Sequence, residues 1–164
     1  MDDQLYTQVV ATDYGTYLVT ADQESIIRLA LVSMLDAELL PRANPSPLTR
    51  EATSQLLSYF RGELLQFDLP LRQSGTQFQQ QVWDYLHTIP YGETRSYGDL
   101  AKSINNPRAV RAVGAANGSN QIPIIVPCHR VIASNGKLQG YALGIDLKRR
   151  FLDLERSKNP QFLF

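Results

Sequence analysis

Cysteine is nearly missing from this chain: Cys128 is the single one in 164 residues. A lone thiol excludes an internal disulfide framework and any cysteine-rich zinc site. Histidine is almost as scarce, with only His87 and His129. Two imidazoles are too few for a dedicated metal centre, so no metal is expected. No apolar run approaches the roughly 18 residues of a membrane-spanning helix. No basic-then-apolar leader opens the sequence either. A soluble cytoplasmic chain without a membrane partner is therefore expected, in a reducing compartment that keeps one thiol usable.

Net charge is absent too, since 16 Lys+Arg balance 16 Asp+Glu. That neutrality hides an asymmetry. Residues 1–80 carry 5 basic and 10 acidic side chains, a net of −5, while residues 81–164 carry 11 and 6, a net of +5. A polyanion would meet the second half, although an excess of this size also arises by chance. What is present is the composition of a globular protein, 43% hydrophobic and 20% charged, enough for one or two small domains with a core.

The pivotal stretch is Ile124 to Val131, IIVPCHRV. A β-branched apolar run leads into Pro127, which fixes its own φ and disfavours helix at Val126. Cys128 is thereby presented on rigid, strand-like or extended backbone, followed at once by His129 and Arg130. A thiol acts only as the thiolate, and cationic neighbours favour that form. On an extended chain, however, adjacent side chains diverge, so thiol and imidazole need a turn or a bridging water to communicate. An inert buried cysteine beside a surface His-Arg pair fits these eight residues equally well.

The surroundings discriminate. Residues 5–20 read as two strands about an Asp13-Tyr14-Gly15 turn. Ser25 to Leu35 is apolar and suits strand or helix, and Pro41, Pro45 and Pro47 mark a loop. Thr49 to Gly62 carries a helical stripe, and Leu64 to Leu71 alternates like an edge strand. Nothing in residues 1–72 carries obvious chemistry. They read as an α/β scaffold domain, with residues 73–164 as the second domain.

That second domain is mainly helical. Phe78, Val82, Trp83, Tyr85, Leu86 and Ile89 form an amphipathic helix stopped by Pro90-Tyr91-Gly92. A helix from about Tyr97, a turn at Asn105-Asn106-Pro107 and a helix from Arg108 to about Asn117 make a helix-turn-helix candidate. Plain helical hairpins share that pattern, but the second helix is built of small residues. Ala109, Ala112, Gly114 and Ala115 allow close approach to another surface, and Arg108 and Arg111 project on one face for phosphate contact or entry into a base stack. Asn120 is a loop brace or a turn residue. Residues 133–140 form a Gly-rich hairpin or lid. A last helix, Asp146 to about Ser157, directs Lys148, Arg149 and Arg150 outward. Glu155 lies in the apolar part of its pattern, either at a solvent-facing edge or as a buried partner completing a Cys–water–His–Glu chain.

With PYGETRSYGDLA at 90–101, RAVRAVGAANGSN at 108–120, IPIIVPCHRVI at 122–132 and GKLQGYALG at 136–144, the chain resembles the O6-alkylguanine-DNA alkyltransferases, the methylated-DNA–protein-cysteine methyltransferases. The likeness is specific over about Gly75 to Glu155. It implies an α+β fold: an N-terminal RNase H-like α/β domain, then a helical domain with a winged-helix-like helix-turn-helix. It also implies direct repair of O6-alkylguanine, with O4-methylthymine as a further substrate, in double-stranded DNA. The protein would act as a monomer that could load DNA cooperatively.

By matching position, Cys128 is the alkyl acceptor, His129 the base acting through water, and Glu155 its orienting carboxylate. Tyr97 helps rotate the nucleotide and protonates the leaving guanine, and Asn120 braces the loop. Arg111 fills the gap in the stack. Arg108, Ala109, Ala112, Gly114 and Arg130 contact DNA. Val131, Tyr141, Ala142 and Leu143 line the guanine pocket. No cofactor is implied. Leu143 stands where the family usually has a second small glycine, and is expected to narrow the pocket against bulky adducts. Gln121 replaces a common proline and is expected to loosen its loop.

The physics is consistent with that resemblance. The alkyl carbon on a paired guanine is unreachable inside the duplex, so the nucleotide must be extruded, at a cost of a few kcal/mol. A stable thioether with no second group to remove the alkyl implies one reaction per molecule. Three other readings compete: a cysteine hydrolase, a lesion binder without transfer, and a transcription factor. A hydrolase usually draws nucleophile and base from separate sequence regions. Lesion binders of this kind replace the acceptor cysteine, and a transcription factor leaves the Cys-His pair unexplained.

Overall fold

Alternating apolar residues build the first sheet. β1 (Tyr6–Thr12) and β2 (Gly15–Ala21) pair antiparallel from Thr12↔Gly15 to Tyr6↔Ala21, and β3 (Ile26–Leu31) adds to the far side of β2. Gly15 has φ +111, and a Cβ there would lie 2.7 Å from Leu31 Cδ1, so the turn needs glycine. β2 is the central strand and buries Tyr17, Leu18 and Val19 consecutively, as a strand covered on both sides does. The segment that suited strand or helix is therefore a strand, ending in a 3-10 turn at Val32–Met34. The computed structural model describes residues 4–159 apart from 37 and 39.

α1 (Pro47–Phe60) packs on this sheet through Ala52, Leu56, Tyr59 and Phe60. Its start is fixed by a reciprocal cap: the Ser46 side chain accepts from the Thr49 N–H at 3.2 Å, and Thr49 Oγ1 accepts from the Ser46 N–H at 2.9 Å. The expected edge strand over 64–71 does not form. Only Leu71 bridges to Ile26, and Pro70 has no N–H to give a ladder. The Gln55 amide instead supplies strand-like partners, donating to the Asp68 carbonyl at 3.0 Å and accepting from its N–H at 2.9 Å.

The chain divides after Gln73 into a second compact unit. There α2 (Gln77–Leu86) buries Val82, Trp83 and Leu86. Trp83 Nε1 donates to the Ala116 carbonyl at 3.0 Å. A two-residue strand β4 (Arg95–Ser96) runs parallel to β5 (Val131–Ile132). It leads into α3 (Tyr97–Ser103), capped by Ser96 and Asp99 reciprocally. Asn105 turns the chain with φ 59, and α4 (Val110–Gly118) packs against α3 and α2. α5 (Ile145–Lys158) closes the unit. Helices with small sheets make the whole an α+β fold.

Candidate active site

Pro127 has φ −82 and ψ 63, and the Cys128 N–H donates to the Val126 carbonyl at 2.8 Å. That is an inverse γ-turn. A 3-10 turn over Cys128–Arg130 follows directly. The extended presentation expected from the sequence is thus replaced by two consecutive tight turns. Proline at the corner and a buried loop upstream impose them. Ile124 is held at φ 75, a costly position for a β-branched residue. The Asn120 amide ties this loop, donating to the Val126 carbonyl at 2.8 Å and accepting from the Ile122 N–H at 3.0 Å.

The turn directs His129 and Arg130 into the protein. Both are buried, and both meet Glu155 of α5. His129 Nε2 donates to Glu155 Oε1 at 2.7 Å, and Arg130 binds the same carboxylate through Nη2 at 2.8 Å and Nε at 2.9 Å. With a carboxylate at Nε2, the neutral ring carries its proton there, and Nδ1 is its basic nitrogen. Burial pushes His129 below its ordinary pKa despite Glu155. Burial alone would raise Glu155, but His129 and Arg130 outweigh it and hold the carboxyl well below the usual range. The resting arrangement is a neutral imidazole on an ionised carboxylate.

Burial also raises the Cys128 thiol, against the Asn120 side chain and the Lys148 charge. The resting sulfur is therefore a thiol, and thiolate must form when the site is used. Lys148, one of the largest fully buried side chains, donates from Nζ to the Val131 carbonyl at 2.7 Å and to Gly140 at 3.4 Å. It lies 5.8 Å from the ring centroids of both Tyr97 and Tyr141.

Cys128 lines a cavity of about 440 Å³ together with Tyr97, Val110, Arg111, Gly114, Asn117, Asn120, Tyr141 and Ala142. Such a volume takes a drug-sized or nucleobase-sized ligand. Gly114 faces Tyr97, and a Cβ there would sit 3.9 Å from the Tyr97 ring, an ordinary contact. Tyr97 Oη donates to the Gln139 carbonyl at 3.3 Å, and burial raises its pKa, with the charge of Cys128 adding to it. Tyr97 is therefore a protonated donor at the cavity wall.

The DNA-binding domain model of the 6-O-methylguanine DNA methyltransferases matches residues 77–157. A methylated-DNA–protein-cysteine methyltransferase of Methanosarcina acetivorans is 46% identical over 155 residues, covering 93% of this chain and 99% of the relative. The chain belongs to this methyltransferase family. The O6-methylguanine methyltransferase structure from Mycobacterium tuberculosis superposes with a TM-score of 0.85 at 45% identity, covering 96% of each chain. A second structure from that organism, a complex with DNA, gives 0.83 at 46% identity over 96% of this chain and 97% of its own.

The structure brings Cys128, Tyr97, Asn120, Arg111, Gly114, Tyr141 and Ala142 to one cavity, and pairs His129 with Glu155. Arg108 and Ala112 are exposed, and Ala109 is half-buried at the start of α4. Four assignments need correction. Arg130 is 8% exposed, and its guanidinium is committed to Glu155 and the Ile89 carbonyl, so it does not face DNA. Val131 and Leu143 do not line the cavity; Val131 is buried and offers its carbonyl to Lys148. Lys148 points inward, not outward.

Gln121 does not loosen its loop. Its amide donates to the Ser74 carbonyl at 2.9 Å and accepts from the Ser74 N–H at 3.3 Å, a reciprocal tie no proline could make. Sequence reasoning missed Lys148, and also Asn117, whose Nδ2 donates to the Cys128 carbonyl at 3.3 Å. The signal for Lys148 was present. It precedes Phe151 by three residues and Glu155 by seven, on one helical face. Among the described residues, no three His, Cys, Asp or Glu side chains are placed to hold a metal ion.

Proposed function

We propose that this protein repairs double-stranded DNA by transferring the alkyl group of O6-alkylguanine directly and once to Cys128 Sγ. The observation that carries this reading is one cavity of about 440 Å³ shared by the thiol, Tyr97 and the α4 residues Arg111 and Gly114. The exposed Ala112 and Ala115 of α4 suit close approach to a minor groove. Arg111 takes the place of the everted nucleotide in the stack. Asn120 holds the loop that presents the sulfur.

In the transfer, His129 accepts the thiol proton through a water. Sγ then bonds to the alkyl carbon in line as the carbon–O6 bond breaks, and the electron pair leaves with guanine. Tyr97 protonates the departing base and is reprotonated in turn. The products are a protein thioether and guanine, with no cofactor consumed. O4-methylthymine presents the same kind of carbon and is a second substrate class. The protein acts as a monomer.

Mass spectrometry after mixing with O6-methylguanine DNA tests the proposal. One added methyl on the Cys128 peptide, with product never exceeding one equivalent, is the expected result. Repeated turnover, or methyl on another residue, would overturn it. Cys128→Ala should lose transfer entirely and still bind the lesion.

A further inference from the structure

Both oxygens of the Glu155 carboxylate are occupied. Oε1 accepts from His129 Nε2 and from Arg130 Nη2; Oε2 accepts from Arg130 Nε and, at 3.3 Å, from the Gly92 N–H. Arg130 is itself pinned. Its Nη1 donates to the Ile89 carbonyl at 2.7 Å, and its guanidinium carbon lies 5.7 Å from the Tyr91 ring centroid. The Pro90-Tyr91-Gly92 turn is itself tied down, since Asn159 Nδ2 donates to the Tyr91 carbonyl at 3.3 Å. A planar fork on two fixed supports therefore leaves Glu155 one orientation.

We infer that Arg130 is a positioning residue for the transfer: acting through Glu155, it aims the His129 ring and keeps that ring unprotonated at rest. The inference rests on the reading of His129 as the base. A buried carboxylate facing only an imidazole would draw a proton onto the ring and spend the base before substrate arrives. A permanent guanidinium on the same carboxylate opposes a second positive charge there. The charged groups acting on His129 are Glu155 and Lys148 of α5 and the neighbouring Arg130. Burial, Arg130 and Lys148 all favour the neutral ring, and Glu155 opposes them.

The test follows two readouts in the full chain: His129 ring titration by NMR in unreacted protein, and single-turnover methyl transfer rate against pH. Arg130→Gln removes the charge and should move proton uptake by the His129–Glu155 pair to higher pH by about one unit. The acid limb of the rate should follow, costing about tenfold at a given pH on that limb. Arg130→Lys keeps a charge but not the fork, and should fall between wild type and Arg130→Gln. If Arg130→Gln does not fold, the titration of Arg130→Lys decides. Ring titration and acid limb at the wild-type position in every variant that folds, or a rate loss equal at all pH, would reduce Arg130 to packing. His129→Gln separates the two ideas. An acid limb that persists in His129→Gln would sink the base reading itself. A limb lost there but unmoved in the Arg130 variants would sink only this inference.

Discussion

Helices α4 and α5 treat charge in opposite ways. α4 exposes Val110, Arg111, Ala112, Ala115 and Gly118 and buries only Val113, Ala116 and Asn117. α5 places Lys148 and Glu155 in the same buried stripe as Phe151 and Leu154. An outward helix face of small residues has little to pack against within its own fold and suits the backbone of another molecule. A buried charge is costly unless partnered, so where one persists it marks either a structural network or chemistry. In this protein the two helices divide the work: α4 offers a surface, and α5 supplies the electrostatics behind the thiol.

The sharpest way to break that contrast is to delete a buried charge. Glu155→Ala leaves Arg130 buried without its carboxylate and should lower stability by about 3–5 kcal/mol in denaturant titration. Arg149→Ala, on the exposed side of α5 with a 3.5 Å pair to Asp146, should change it by less than about 0.5 kcal/mol. Equal losses would remove the distinction between the two faces.

Lys148→Met comes next. Lys148 favours the thiolate, so its loss should raise the Cys128 pKa further. Methyl transfer near neutral pH should then slow by about tenfold for every pH unit that the thiol titration moves upward. Single-turnover rates against pH would read it, and an unmoved profile would leave Lys148 as a strap for the Val131 and Gly140 carbonyls.

Acid should act on the His129–Glu155 pair behind the thiol. His129 and Glu155 both have lowered folded-state pKa values, so the unfolded chain binds more protons and stability rises with pH. The His129 share is present above its ordinary pKa of 6.5 and lost as pH falls below it; the Glu155 share goes at lower pH still. Urea midpoints between neutral and mildly acidic pH should fall, and less so in His129→Gln.

On α4 the expected effects are on binding. Arg111→Ala should weaken binding to lesion DNA by about 1–2 kcal/mol while leaving the denaturation midpoint in place; a lowered midpoint would make Arg111 structural. The smallest effect concerns Leu143, which lies outside the cavity wall. Leu143→Gly should change the ratio of O6-benzyl- to O6-methylguanine rates by less than about threefold. A larger gain for benzyl would restore Leu143 to the pocket.

Much of this was legible in residue order. The breaker at Pro90-Tyr91-Gly92 and the small-residue run of α4 are local signals, and local hydrogen bonds and sterics enforce them. The 64–71 segment failed because alternation describes a side-chain pattern and says nothing of whether a neighbouring strand exists. Arg130 and Lys148 failed for another reason. A charged residue is placed outside by default, and the partners that overturn that default lie far along the chain.

Residue order by itself singled out the one thiol, the imidazole beside it and a small-residue helix as candidates, because Cys128 is the single cysteine and His129 the one histidine next to it. It also determined the rigid, non-helical backbone at Pro127, which the ring of proline imposes locally. Only tertiary structure decided that Glu155 would meet His129 and Arg130 across 26 and 25 positions, and that Lys148 would lie between Tyr97 and Tyr141. Desolvation and pairing energies depend on what surrounds a charge in space, and that surrounding exists only after the chain has folded.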